Sequence, residues 1–237
     1  MLGFDRYCDV ITAQSELLVT QLAGADLRTP VPSCPEWNLG QLLRHLGGAQ
    51  RWATEIIRTG QQADEDLFDM RDLSRFTDED PAVVLPWLRA AGTELAEMLR
   101  KTGPGVPTWT PAPGQDSGSD FFARRGAHET AVHRADAVLA MGKDYWLESD
   151  VAADAVEEWL ELGHQPPLVH GTLAFEATDT VDRWAVGQGG SGPATVTVRG
   201  PVATLLLVIY RRLPTASVEV SGDARPLQFW LDRVSFG

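Results

Sequence analysis

The chain has 237 residues, enough for one large domain or two small ones with cores of their own. A formal net charge of -13 argues against a phosphate backbone as partner, because nucleic-acid binding needs a basic face; 43% hydrophobic and 22% charged residues are the proportions of an ordinary globular protein. Two cysteines, Cys8 and Cys34, are too few for a disulfide framework, residues 1–10 show no apolar leader, and the apolar run 202–210 is far shorter than the about 20 residues of a membrane span, so the sequence reads as soluble and cytoplasmic.

Phe4, Tyr7, Ile11, Leu18 and Leu22 recur at helical spacing and are closed off by Gly24, which predicts a first helix. Prolines at 30, 32 and 35 remove backbone donors and fix φ, so residues 29–35 are expected to form an ordered connector or a loop lining a site. Asn38 offers an N-cap to a second helix ending near Gly60, with Leu39, Leu42, Leu43, Leu46, Ala49, Ala53 and Ile56 on its buried face. His45 shares a side of that helix with Leu42, Ala49, Trp52 and Ile56 and is expected to face the bundle interior. The acidic stretch 61–80 lacks the spacing and central glycine of a calcium loop and reads as a solvated loop without chemistry. Asp80 followed by Pro81 starts a third helix with Leu88, Ala91, Leu95, Met98 and Leu99 on its apolar face, and Pro86 is expected to kink it or delay its start. The loop 102–120 around Trp109 is longer than bundle connections usually are, as loops bordering sites often are.

A fourth helix, from about Ser119 to Met141, carries the most informative spacing. Glu129 and His133 are four residues apart and so stack on one face, in a column with Phe122, Gly126, Asp136 and Ala140. His128 beside Glu129 invites comparison with the zinc signature H-E-x-x-H, whose histidines are four apart. His128 and His133 are five apart, so they diverge by roughly 140° and His128 faces elsewhere. A carboxylate and an imidazole on one face are half of a metal site, and His45 is the candidate for a third donor from a facing helix. The alternative is ordinary: each group is satisfied at a helix interface, with His133 hydrogen-bonded to Glu129. Asp136 either orients His133 or pairs with Arg134, and Trp37, Trp52 and Trp109 either line a pocket or fill the core. Cys34 has no identifiable base beside it and is not read as a nucleophile.

After Tyr145 the pattern changes. Ser149 and Asp150 cap a helix through Ala155, Val156, Trp159 and Leu160, and alternating segments follow at 173–177, 181–186 and 194–198, with a turn at 187–190. The apolar stretch 202–213 is long for a strand and reads as a helix, followed by a short strand over 217–220 and a last helix over 226–234. The fold class is therefore α+β, with a helical domain over 1–147 and a small α+β domain over 148–237.

The run Trp37 to Gly47 (Trp-Asn-Leu-Gly-Gln-Leu-Leu-Arg-His-Leu-Gly), preceded by Val31-Pro32-Ser33-Cys34-Pro35, and the run 124–136 (Arg-Arg-Gly-Ala-His-Glu-Thr-Ala-Val-His-Arg-Ala-Asp) resemble the actinobacterial mycothiol-dependent maleylpyruvate isomerase family of the DinB-like superfamily. The resemblance covers essentially the whole chain. Residues 1–147 resemble its DinB-like metal-binding four-helix bundle, and 148–237, with Leu205-Leu206-Leu207 and Arg211-Arg212, resemble its smaller C-terminal domain. It implies a divalent metal, zinc by expectation, on His45, Glu129 and His133, with mycothiol as cofactor or co-substrate. The implied activity is that of an isomerase or S-transferase in which a metal-bound thiolate adds to an electrophile. Arg211 or Arg212 is expected to reach the thiol cofactor from the C-terminal domain, the alternative being that both are ordinary solvated helix-end arginines. The expected partners are a small-molecule thiol and an electrophilic substrate, with no nucleic acid and no membrane, and the chain is expected to be a monomer or homodimer. A non-enzymatic metal- or ligand-binding protein on the same scaffold is the alternative.

Overall fold

Four long helices build the N-terminal half: α1 (Phe4–Gln21), α2 (Leu39–Thr59), α3 (Pro81–Thr102) and α4 (Gly118–Ala140), seen in a computed structural model that describes residues 1–112, 117–162, 171–187 and 194–233. α1 packs on α3 and α4, and α2 packs on the same two helices, so the four close into a bundle. Its core includes Leu18, Leu22, Leu39, Leu42, Leu43, Leu46, Leu88 and Ala137. Local signals set the helix ends. Asn38 accepts from the Gln41 amide while the Gln41 side chain accepts from the Asn38 amide, each at 3.0 Å, a capping box worth about 1 kcal/mol. Gly60 closes α2 in the left-handed region at φ 72°. Asp80 caps α3, which begins at Pro81; Pro86 lies within the helix and does not delay its start.

Helix α4 has no single apolar stripe because it is buried nearly all round, as a central helix is. Ala123, Ala127, Ala131 and Ala135 repeat at every fourth position, all fully buried, and leave room for neighbouring helices to approach. The connector before α2 is an ordered, tight loop. Val31 N–H donates to the Trp37 carbonyl at 2.9 Å and Leu39 N–H to the Thr29 carbonyl at 3.0 Å, around a bridge between Pro30 and Asn38.

The segment 61–80 departs from expectation. It is acidic, yet Met70 and Leu73 are 6% and 3% exposed, so it is docked rather than solvated along its whole length. The dock is a cation–π ladder: the Arg44 guanidinium lies 4.9 Å from the Phe76 ring and 4.6 Å from Trp87 of α3, with Arg75 4.9 Å from the same Phe76. Glu79 holds Arg44 through two hydrogen bonds at 3.0 and 2.9 Å.

Contacts gather the chain into two compact units, Leu2–Tyr145 and a second that begins at Trp146. The second contains α5 (Ser149–Glu161), β1 (Thr172–Ala177), β2 (Arg183–Gly187), β3 (Val196–Gly200), α6 (Val202–Ile209), β4 (Glu219–Gly222) and α7 (Arg225–Leu231). The fold is thus α+β. The strands form one sheet in the order β2-β1-β3-β4, with β1 and β3 parallel and the outer pairs antiparallel. Leu173, Phe175, Val196 and Val198 alternate inward, and Trp230 sits 5.6 Å from Phe175 and 5.2 Å from Trp159.

The apolar stretch from Val202 is a helix, as its length predicts. The strands β3 and β4 both begin two residues later than their sequence pattern places them, and Ser149 is the first residue of α5, with Glu148 at the cap position and no side-chain cap bond. Val181 is 94% exposed and precedes β2. Residues 188–190 of the expected turn and Val234 of the expected last helix lie outside the described residues.

Candidate metal centre

His133 of α4 contacts both His45 of α2 and Glu129 of its own helix. The ring centroids of His45 and His133 are 5.1 Å apart at an interplanar angle of 86°. Two imidazoles that share one zinc ion through nitrogens at about 2.1 Å have centroids about 5 Å apart, so the spacing suits a common ion. Glu129 stands one turn before His133, with its Oε2 3.1 Å from His133 Nε2, and the other carboxylate oxygen, Oε1, takes an ion pair from Arg125.

The opposite nitrogen of each ring is fixed by an acceptor. His45 Nδ1 lies 2.7 Å from the Met70 carbonyl, which can only accept, so Nδ1 carries the proton and Nε2 keeps its lone pair. Loss of hydration pushes the His45 imidazolium down to about 4, with neighbouring His133 adding to the effect and the Met70 carbonyl partly offsetting it. His45 is therefore neutral at pH 7, as a metal ligand must be. His133 Nδ1 is 2.9 Å from Asp136 Oδ2, and Ser33 Oγ donates to Asp136 Oδ1 at 2.6 Å. With Nδ1 protonated, the lone pair of a neutral His133 at Nε2 confronts a carboxylate oxygen. Two acceptors at that distance repel unless a proton or a cation lies between them. A neutral nitrogen pair and a carboxylate form a donor set that fits zinc. As the side chains stand, no group of three or more His, Cys, Asp or Glu among the described residues is gathered tightly enough to enclose an ion.

The remaining candidates separate cleanly. His128 is buried against Tyr7 of α1, ring centroids 5.9 Å apart, away from Glu129 as its five-residue offset from His133 predicts. Asp136 turns to His133, while Arg134 donates to Gln14 at 2.5 Å and Gln21 at 3.2 Å and lies over the Tyr145 ring. Trp37 lies against His45, ring centroids 4.7 Å apart and tilted by 42°, and borders the site; Trp52 joins Trp109 and Phe122 in an aromatic cluster. Cys34 is half-buried, its Sγ 4.0 Å from Asp136 Oδ2. Arg211 and Arg212 belong to the second unit: Arg211 is exposed and left-handed at φ 58°, and Arg212 donates to the Tyr210 carbonyl at 2.8 Å. Sequence reading passed over Ser33 and Met70. A serine between prolines reads as an ordinary turn residue, and the Met70 contribution is a backbone atom that no residue type announces.

A family model, the mycothiol maleylpyruvate isomerase N-terminal domain, matches residues 8–138. Two crystal structures share the fold, one of the mycothiol-dependent maleylpyruvate isomerase and one of its histidine-to-alanine mutant. Each is 13% identical to this chain, with a TM-score of 0.66 and 93% of either chain covered. No curated protein matches the chain.

Proposed function

The chain belongs to the mycothiol maleylpyruvate isomerase N-terminal domain family, and on that premise we propose that it is a zinc-dependent enzyme using mycothiol, either to isomerise a double bond or to transfer the thiol to an electrophile. The observation that carries this reading is the contact between His133 Nε2 and Glu129 with the neutral His45 ring 5.1 Å from that of His133. His45, Glu129 and His133 would hold the ion, which when bound keeps a coordinated thiol deprotonated and so nucleophilic near neutral pH.

The chain's own residues do the rest. Met70 and Asp136 keep the ring protons on Nδ1, so both Nε2 atoms stay available. Arg125 tethers one oxygen of Glu129 and limits how far the carboxylate swings. Trp37 covers the His45 ring and keeps water from that side. Arg211 and Arg212 of the second unit are the proposed contacts to mycothiol, whose hydroxyl oxygens can accept from guanidinium N–H groups. Addition of the thiolate to a cis double bond conjugated to a carbonyl moves the π electrons onto the carbonyl oxygen and leaves a single bond free to rotate; collapse of that enolate breaks the carbon–sulfur bond, expels the thiolate and restores the double bond in the trans form.

Metal analysis of the purified protein tests the site, with His45→Ala and His133→Ala as controls. One zinc per chain is expected in the wild type and a loss of at least about tenfold in affinity in each variant. Stoichiometric metal in both variants would overturn the assignment. Incubating the metal-loaded protein with mycothiol and a panel of electrophiles, maleylpyruvate included, reads turnover as thiol loss or as a changed double bond. A second reading, a metal- or ligand-binding protein without turnover, draws on the same geometry, since His45, Glu129 and His133 can hold an ion whether or not a substrate reacts there. Stoichiometric metal uptake without turnover on that panel would favour it.

A further inference from the structure

We propose that Asp136, anchored by Ser33, is the positioning residue of this site: it holds the His133 proton on Nδ1 and so commits Nε2 to the space shared with Glu129 and His45. The inference rests on the zinc reading above for its purpose, but not for its test. Which nitrogen of a histidine is free is decided by the hydrogen bond that the other one makes. Here that bond goes to a carboxylate with no solvent exposure, three residues further along the same helix. Both ring nitrogens face carboxylates, Nδ1 at 2.9 Å from Asp136 and Nε2 at 3.1 Å from Glu129, but the charge of Glu129 is shared with Arg125 whereas Asp136 is fully buried against the ring, so Asp136 has the stronger claim on the proton.

Asp136 is itself held from outside the helix. Ser33 Oγ donates to its second oxygen at 2.6 Å from 103 residues away in sequence. The serine sits in the connector before α2, whose backbone is pinned by the Val31–Trp37 and Leu39–Thr29 hydrogen bonds. The connector rich in proline thus does more than join two helices: it clamps the group that aims a ligand. The two imidazoles are also treated differently. His45 is aimed by a neutral carbonyl, whereas His133 is aimed by a full negative charge, which makes its Nε2 the stronger donor of the pair.

Long-range proton–nitrogen correlation spectra of the full-length, nitrogen-15-labelled protein report the tautomer directly, and competition with a chromophoric chelator reports zinc affinity. In the wild type the His133 proton is expected on Nδ1. Asp136→Ala should release it to Nε2 and weaken zinc binding by about 10- to 100-fold. Asp136→Asn keeps an acceptor for Nδ1 and can donate to Ser33, so it should preserve the tautomer and lose less than about tenfold. Ser33→Ala should weaken zinc binding by a smaller factor than Asp136→Ala, with the fold unchanged. A wild-type ring that carries its proton on Nε2 with none on Nδ1, or an Asp136→Ala variant with wild-type tautomer and affinity, overturns the proposal. If Asp136→Ala does not fold, wild-type zinc affinity in both Asp136→Asn and Ser33→Ala overturns it instead. If the wild type takes up no zinc, the proposed function fails, and the role of Asp136 is decided on the metal-free protein by whether Nδ1 protonation is present and is lost in Asp136→Ala.

Discussion

The two cysteines differ in a way that chemistry can read. Cys8 is fully buried on α1, and burial pushes its thiol from 9.0 up to about 11, against the opposing charge of Arg100; Cys34 is half-buried. Iodoacetamide at pH 8 should therefore modify one cysteine in the folded chain, and mass spectrometry should place the label on Cys34; labelling of Cys8 before unfolding would contradict its burial. The sign of the linkage follows. The folded state binds the Cys8 proton more tightly than the unfolded state, so this contribution is intact below about pH 9 and disappears as pH climbs through about 11. Its full size is about 3 kcal/mol at most. Cys8→Ala should flatten the fall in urea midpoint between pH 9 and pH 11, and an unchanged slope would remove the thiol as its cause. Arg211 is a second residue whose backbone is informative. Its φ of 58° follows α6, at a position where glycine is unstrained and other residues are disfavoured by about 1 kcal/mol. Arg211→Gly should raise the melting temperature while lowering mycothiol affinity measured by calorimetry. A stabilised variant that binds mycothiol as well as the wild type would take Arg211 out of the thiol site.

At the scale of elements, α2 meets α3 and the segment 61–80 in a joint with no room for a side chain. A Cβ on Gly47 would collide with the Trp87 ring, and the backbone of Gly48 lies against the Phe68 carbonyl. Gly47→Ala should therefore push Trp87 off the Arg44–Phe76 ladder and destabilise the fold by about 1–3 kcal/mol, as overpacking does. Because the same ladder docks the segment that carries Met70, amide exchange over residues 65–80 should rise in that variant, and His45 should lose its acceptor; exchange confined to α2 would show the ladder to be dispensable. The helices themselves were legible in the sequence, since a 3.6-residue period with Asn38, Gly60 and Asp80-Pro81 at the ends leaves little freedom. Residues 61–80 were not. Met70, Leu73 and Phe76 are spaced three apart, but the signal is drowned by acidic neighbours, and docking depends on Arg44 and Trp87 from other elements. The strand limits slipped for a related reason: the register of β3 and β4 is set by the parallel partner β1 and by Val198–Val220 pairing, which alternation alone does not encode.

For the molecule as a whole, the question is how much of the site the first unit supplies alone. Glu129 and His133 could be paired from their four-residue spacing and His45 picked as the third donor from its inward helix face, but helical periodicity fixes a face and not a facing partner, so the resemblance to a known family was needed to weigh that choice against ordinary interface residues. Ser33, which holds Asp136, and Met70, which holds the His45 ring, were invisible for the same reason. All of these residues fall within Leu2–Tyr145, as do the buried leucines of the bundle core. The expected consequence is that a fragment of residues 1–145 unfolds cooperatively and binds zinc within about threefold of the full chain, since about 0.7 kcal/mol is what that factor represents. Mycothiol affinity should instead fall by at least about tenfold if Arg211 and Arg212 contribute, because both lie beyond the cut. Calorimetry on the fragment and the full chain with the same zinc and mycothiol stocks separates the outcomes. Zinc affinity lost with the second unit would overturn the assignment of the whole ligand set to the bundle. Mycothiol bound equally well by the fragment would place the whole thiol site in the bundle and leave the two arginines with another task.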